Sequence, residues 1–278
     1  MRIALIPDIH GNLPALEAVL EDIRHSGVDQ IVCLGDIANI GPYPGACIDL
    51  VAEACDVVLQ GNHELYLLGR ITDVDWQICP TWASMRWTRQ QLRPEQFDYI
   101  DQLPLQTELS ANGLPTLCVH ASPLSQYRGF LARHDDEQVA ERMDGVDDVT
   151  LFCAHTHVAL YRRWSNTWIV NVGSVGMPLD STPEAKYVLA TATTAGWQCQ
   201  FRQVSYDLDR LMDAFERSGL QAAGRGVTAV FRYQMLTGQP SVGPYLDGLY
   251  RLARERGVTM GDVYDDYPVP PEVADWVS

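Results

Sequence analysis

Short apolar runs rich in β-branched residues recur at residues 2–7, 30–34, 56–60, 114–119 and 149–153. Each has the length of a buried strand. Between the first two, Leu13, Leu16, Leu20 and Ile23 repeat at helical spacing from Asn12 to Ser26, and Gly27 supplies a stop, so a strand-helix-strand unit opens the chain. A second helix is expected over residues 45–54. From Glu64 to Leu103 the pattern turns to helix rich in Trp and Arg, with Trp76, Trp82 and Trp87 close together. This segment reads as an insertion in or over the site that the strand ends would form.

Beyond His120 a polar segment runs to Asp148, with one helix expected over residues 135–143. Strands then crowd together at residues 149–153, 158–164, 167–172, 186–193 and 197–204, and the short links Ser165-Asn166 and Ala195-Gly196 imply hairpins. From Tyr206 onward the strands stop. Leu208, Leu211, Met212 and Phe215 mark one amphipathic helix, residues 245–256 a second, and residues 265–271 an extended tail. A parallel first half followed by hairpins predicts an α/β fold of two packed mixed sheets flanked by helices. The expected division is a main domain over residues 1–205 and a helical extension over residues 206–278 packed on its core.

Each of the five apolar runs ends on polar groups of a related kind. Asp8-Ile9-His10, Gly35-Asp36, Gly61-Asn62-His63-Glu64, Val119-His120-Ala121 and His155-Thr156-His157 follow the runs in turn, and only His25 and His134 among the histidines fall outside them. In an open α/β sheet the carboxyl ends of the strands form the crevice where ligands bind, so these groups can share one site. Imidazole, carboxylate and amide ligands suit Mn, Fe, Zn, Co, Ni or Mg, and no cysteine pair has metal-ligand spacing. The set exceeds what one ion with an open coordination position needs. Two ions roughly 3.5–4 Å apart, bridged by a carboxylate and a water, would use it well. Asp36 is the natural bridge.

The order D-x-H, G-D, G-N-H-E, H and H-x-H resembles that of the binuclear metallophosphoesterases, the calcineurin-like superfamily, over residues 1–205. Within that group, Gly35-Asp36-Ile37 with Gly41-Pro42-Tyr43-Pro44, Trp87-Thr88-Arg89, Leu103-Pro104, His120-Ala121-Ser122-Pro123 and Asn171-Val172-Gly173-Ser174 are most similar to small bacterial and archaeal phosphodiesterases related to diadenosine tetraphosphatases. The resemblance implies a catalytic domain built as a four-layer α-β-β-α sandwich. It also implies one metal on Asp8, His10, Asp36 and His157, a second on Asp36, Asn62, His120 and His155, and a His63 that faces the phosphate without binding metal. Ala154 stands where glycine is common and Val172 where proline is common; both alter backbone freedom and leave the ligands intact.

Composition narrows the choice of partner. With 46% hydrophobic and 20% charged residues, the 278-residue chain reads as globular. Its first apolar run, broken by Asp8 and His10, is a strand rather than a signal peptide, and no run approaches a membrane span. Seven scattered cysteines make no disulfide framework, which points to a cytoplasmic setting. A net charge of −16, from 20 basic and 36 acidic residues, disfavours duplex nucleic acid and favours a small phosphoester or nucleotide substrate. His25 and His134 read as solvated surface, and Arg86, Arg89 and Arg93 as a salt-bridged helix face. The tryptophans read first as helix packing and second as a platform for a nucleobase. Oligomeric state leaves no signal.

Phosphoryl transfer needs a nucleophile, neutralised phosphoryl oxygens and a proton for the leaving group. A water shared by two ions supplies the first and the ions with Asn62 the second, while His63, oriented by Glu64 or a backbone carbonyl, either stabilises the transition-state charge or supplies the third. The expected activity is hydrolysis of small phosphodiesters or phosphomonoesters, with Mn foremost among the metals. Symmetrical cleavage of diadenosine polyphosphates is the alternative. A protein phosphatase is disfavoured because Ile37-Ala38-Asn39-Ile40-Gly41 lacks the D-R-G arginine that clamps phosphate. A non-catalytic scaffold of the same fold would have shed metal-site residues that this chain keeps.

Overall fold

Side chains alternate across a strand, and the first strand has both of its faces buried. In a computed structural model that describes residues 1–70 and 77–277, β1 (Arg2–Ile6) sends Ile3 and Leu5 into one apolar layer and Ala4 and Ile6 into another. On the second face, α1 (Leu13–Arg24) and α2 (Pro44–Ala54) pack Leu16, Val19, Leu20, Ile48 and Val51. Asn12 caps α1, its Oδ1 accepting the Ala15 N–H at 3.2 Å. On the first face, Ile3 and Leu5 meet Cys118, Phe152 and Val170 of a second sheet. The outer surface of that sheet is covered by α6 (Asp136–Met143), which packs Val139 and Met143 on Leu117, Leu151 and Ile169. The main body therefore has four layers, α-β-β-α.

The first sheet has the order β10-β9-β1-β2-β3. Here β2 (Gln30–Cys33) is parallel to β1 and β3 (Val57–Val58) to β2, while β9 (Ala185–Thr193) and β10 (Gly196–Val204) form an antiparallel hairpin paired with β1 through β9. The second sheet has the order β4-β5-β6-β8-β7. Its centre, β5 (Leu114–Val119), β6 (Thr150–Cys153) and β8 (Thr167–Asn171), is parallel, and its edges, β4 (Gln106–Ala111) and β7 (Leu160–Trp164), are antiparallel. Both expected hairpins are present. The parallel centre of the second sheet departs from the hairpin reading, and β4 is an edge strand whose polar QTELSA sequence conceals it.

The segment after Glu64 divides into several short elements. They are α3 (Asn62–Leu67), a 3₁₀ turn at Pro80–Trp82, α4 (Ala83–Gln91) and α5 (Pro94–Asp101). Trp76 lies outside the described residues. After β10 come α7 (Leu208–Arg217), α8 (Leu220–Thr237), α9 (Val242–Arg256) and α10 (Met260–Val263). The helix α8 has no counterpart in the sequence reading, because Gly224 and Gly226 interrupt its pattern and Arg225 between them leaves helical geometry at φ 43°, ψ −119°. The expected extended tail is shorter than read: Asp265 and Asp266 lie in a turn and Pro271–Trp276 forms a 3₁₀ turn. These helices bury Leu211, Phe215, Val227, Val230 and Leu249 together, and reach Ile40, Trp87 and Met177 of the main body. Among the described residues no helix is long and apolar enough to cross a membrane.

Candidate metal centre

The loops that leave β1, β2 and β6 share an unusual backbone. Asp8 (φ 44°), His10 (φ 51°), Asp36 (φ 56°), His155 (φ 68°) and His157 (φ 59°) all lie in the left-handed region, which L-residues rarely adopt. Such strain persists only where surrounding bonds over-determine it. Here the N–H groups of Ile9 and His10 both donate to the Asp36 carbonyl at 2.9 Å, locking the first loop to the second. Glu64 braces the second loop, its carboxylate accepting the N–H groups of Asp36 at 2.8 Å, Ile37 at 2.9 Å and Gly61 at 2.8 Å. Gly61 has to be glycine, since a Cβ there would sit 2.2 Å from Asp36 Oδ1. The turn after β8 braces the remainder: Ser174 Oγ donates to the Asp8 carbonyl at 3.0 Å and Asn171 Nδ2 donates to Thr156 Oγ1 at 3.0 Å.

Two groups of potential ligands result. Asp8, His10, Asp36 and His157 bring one ligand atom each to within 4.8 Å of one another, and Asp36, His120 and His155 do the same. Asn62 joins the second group, with Oδ1 3.0 Å from His120 Nε2 and 2.9 Å from His155 Nδ1. Asp36 belongs to both. Its Oδ2 lies 3.7 Å from His10 Nε2 and 3.4 Å from His120 Nε2, and its Oδ1 is fixed by the His63 N–H at 2.8 Å.

The far ring nitrogens of three histidines are anchored on carbonyls. His157 Nδ1 bonds to Met177 at 2.7 Å, His120 Nδ1 to Leu34 at 2.8 Å and His155 Nε2 to Tyr127 at 3.0 Å. Such bonds fix the tautomer and aim the other nitrogen inward. Burial pushes the His155 pKa down to about 3 and that of His157 to about 4, so both are neutral and face the centre with a lone pair. His155 thus presents an acceptor to Asn62 Oδ1, another acceptor, a contact that a cation relieves. Burial opposes charge on His120 as well, but the Asp36 and Asp8 carboxylates outweigh it and push its pKa up to about 9. Burial also raises Asp8 well above the ordinary carboxylate range. Imidazole lone pairs, carboxylates and an amide oxygen form a donor set for divalent first-row cations or Mg, so these residues fit a pair of metal ions.

A model of the calcineurin-like phosphoesterase superfamily domain matches residues 1–195. The chain belongs to the calcineurin-like phosphoesterase superfamily. A metallophosphoesterase from Sphaerobacter thermophilus superposes with a TM-score of 0.70 at 28% identity, covering 86% of this chain and 99% of that one. A hypothetical protein from Pyrococcus horikoshii OT3 shares the fold, with a TM-score of 0.71 at 22% identity over 85% of this chain and 98% of that one. An uncharacterized protein of Methanocaldococcus jannaschii is 28% identical over 238 residues, 78% of this chain and 93% of its own length. Phosphodiesterase YfcE of Escherichia coli K12 is 50% identical over 42 residues, 15% of this chain and 23% of that protein. The protein is accordingly a metal-dependent phosphoesterase with a His/Asp centre of the binuclear type.

In this phosphoesterase His63 stands apart from both ligand groups. Its side chain is 17% exposed against 1% for Asp36, and its Nε2 is 3.9 Å from Asp36 Oδ2. Among the described residues neither Glu64 nor a carbonyl bonds to its ring, contrary to the sequence reading. The partner is Asn39: Asn39 Oδ1 accepts the Ile40 N–H at 2.9 Å, which turns Asn39 Nδ2 toward His63 Nδ1 at 2.8 Å. An amide N–H donates, so His63 Nδ1 accepts and the ring proton sits on Nε2. Burial holds the His63 pKa below its ordinary value. Asn39 was missed because an asparagine in a loop usually serves a turn.

The other residues singled out in the sequence are placed as follows. His25 is exposed beside Glu21, whereas His134 is half-buried, its Nδ1 accepting the Leu131 N–H, and so is less solvated than expected. Arg93 pairs with Asp49 and Arg89 lies over the Phe97 ring. Trp87 is buried among the C-terminal helices, whereas Trp82 lines a cavity over the metal centre with its ring 4.9 Å from that of Tyr66.

Proposed function

We propose that the protein hydrolyses small phosphodiesters or phosphomonoesters at a pair of divalent cations, with Mn the foremost candidate, held by Asp8, His10, Asp36 and His157 on one side and Asp36, Asn62, His120 and His155 on the other. The observation that carries this reading is the place of Asp36 in both ligand groups. When bound, such cations acidify a water nucleophile and neutralise phosphoryl oxygens. Asn62 positions a phosphoryl oxygen at the edge of the second group. The water gives up a proton to solvent, its oxygen bonds to phosphorus, the ester P–O bond breaks with its electron pair passing to the leaving oxygen, and that oxygen, stabilised by a hydrogen bond from the Nε2–H of neutral His63, takes a proton from solvent. One proton goes to solvent and one returns from it, so His63 ends the cycle as it began, neutral with its proton on Nε2. Asn39 keeps the ring in the donating tautomer throughout.

The test is turnover of bis-p-nitrophenyl phosphate by metal-stripped protein before and after Mn is added. Activity that appears only with metal and falls at least 10²-fold in Asp36→Asn supports the proposal. Equal turnover in the stripped and loaded protein contradicts it.

A further inference from the structure

A cavity of about 360 Å³ opens over the metal centre, with Asp36, Asn62, His155 and His157 at its floor beside His63. Its opposite wall comes from the helices beyond the family match: Phe231 of α8, Val242 and Leu246 of α9 and Met260 of α10, joined by Met177 and Trp82. Val242 and Leu246 are one helical turn apart, so both meet the cavity. This wall is apolar. Among the described residues that line the cavity there is no Lys or Arg, and residues 71–76 contain none in their sequence.

Resting on the function proposed above, we infer that these helices select phosphoesters with a single phosphoryl group and one aromatic or apolar substituent, and disfavour polyphosphate chains. The centre can neutralise one phosphoryl group. Further phosphates would lie against Phe231, Val242, Leu246 and Met260 with no cationic side chain to pair them, and a charge removed from water without a partner is heavily disfavoured. An aryl group or a base with its sugar, in contrast, gains contact with the same wall and with the Trp82 ring. The volume agrees, because it sits near the lower end of the roughly 300–1,000 Å³ range of small-molecule sites. One such substituent fills it, and a dinucleoside polyphosphate exceeds it.

Three substrates separate the possibilities in the Mn-loaded full-length protein. Methyl p-nitrophenyl phosphate and bis-p-nitrophenyl phosphate share a leaving group and differ only in the group that reaches the wall; diadenosine tetraphosphate supplies the polyphosphate. The wild type should show a KM for the aryl diester roughly 10-fold or more below that for the methyl diester, and a lower kcat/KM for diadenosine tetraphosphate than for the aryl diester. Leu246→Ala should raise KM several times more for the aryl than for the methyl diester. Leu246→Lys, a substitution at a half-buried position, should improve kcat/KM for diadenosine tetraphosphate. Equal KM values for the two diesters, equal effects of Leu246→Ala on both, no gain in Leu246→Lys, or a preference of the wild type for diadenosine tetraphosphate would each overturn the inference while leaving the phosphoesterase reading intact. Absence of metal-dependent turnover of every ester would instead overturn the reading on which it rests.

Discussion

In the proposed mechanism His63 and Asn39 divide two tasks that a ligand histidine would combine. His63→Ala should keep its metals while turnover falls by roughly 10²-fold or more. The loss should be greater for a nucleotide diester, whose leaving alkoxide carries more charge, than for a nitrophenyl ester. Equal losses would place the His63 hydrogen bond on a phosphoryl oxygen that does not leave, and a lost metal would make His63 a ligand. Asn39→Asp places a negative acceptor beside Nδ1 and should raise the His63 pKa, because a nearby carboxylate favours the imidazolium. The titration of the His63 ring, followed by NMR, should then move to higher pH; an unmoved titration contradicts the assigned contact. The imidazoles and carboxylates were legible in the sequence because few other roles put so many of them directly after apolar strands. Asn39 was not legible, since its amide has an ordinary use in turns and its φ of 76° leaves no mark in the sequence.

At the scale of elements, polar clamps tie helices to sheet edges. Asp22 of α1 accepts from Arg202 Nη2 at 2.7 Å and from the Tyr187 hydroxyl at 2.6 Å, so α1 is fastened to both β9 and β10. The Arg202 hydrogen bond holds the Asp22 carboxyl below its ordinary pKa. A depressed carboxyl stabilises the fold at pH above its unfolded value, roughly 4, and that contribution is lost as pH falls through the folded value. Both side chains are partly solvated, so the clamp is worth about 1 kcal/mol at most. Asp22→Asn should lower Tm at pH 7 and leave it nearly unchanged at pH 2.5. An equal drop at both values contradicts an ionic contribution. Strands with both faces buried were readable from their apolar runs, as in β1, β5 and β6. The edge strand β4 was not, because its sequence is polar although it pairs with the next strand, β5, across Asn112-Gly113, and the glycine-broken α8 was not, because Gly224 and Gly226 interrupt its apolar spacing.

For the whole molecule, metal ions and fold should be coupled. The proposed cation sites draw on loops after β1, β2, β5 and β6 together with the start of α3, so cations bound there would hold both sheets to one crevice. Any ligand that binds only the folded state stabilises it, by about 2.7 kcal/mol per site at one hundred times Kd. Chelation should therefore lower Tm and Mn should restore it; a Tm indifferent to chelator contradicts the fit of the site to metal. The central claim is a pair of cations bridged by Asp36, and elemental analysis of Mn-reconstituted, buffer-exchanged protein measures it most directly. A carboxylate bridge at Asp36 predicts two Mn per chain in the unaltered protein and fewer in Asp36→Asn. At most one Mn in the unaltered protein, or two in Asp36→Asn with full turnover, would contradict it.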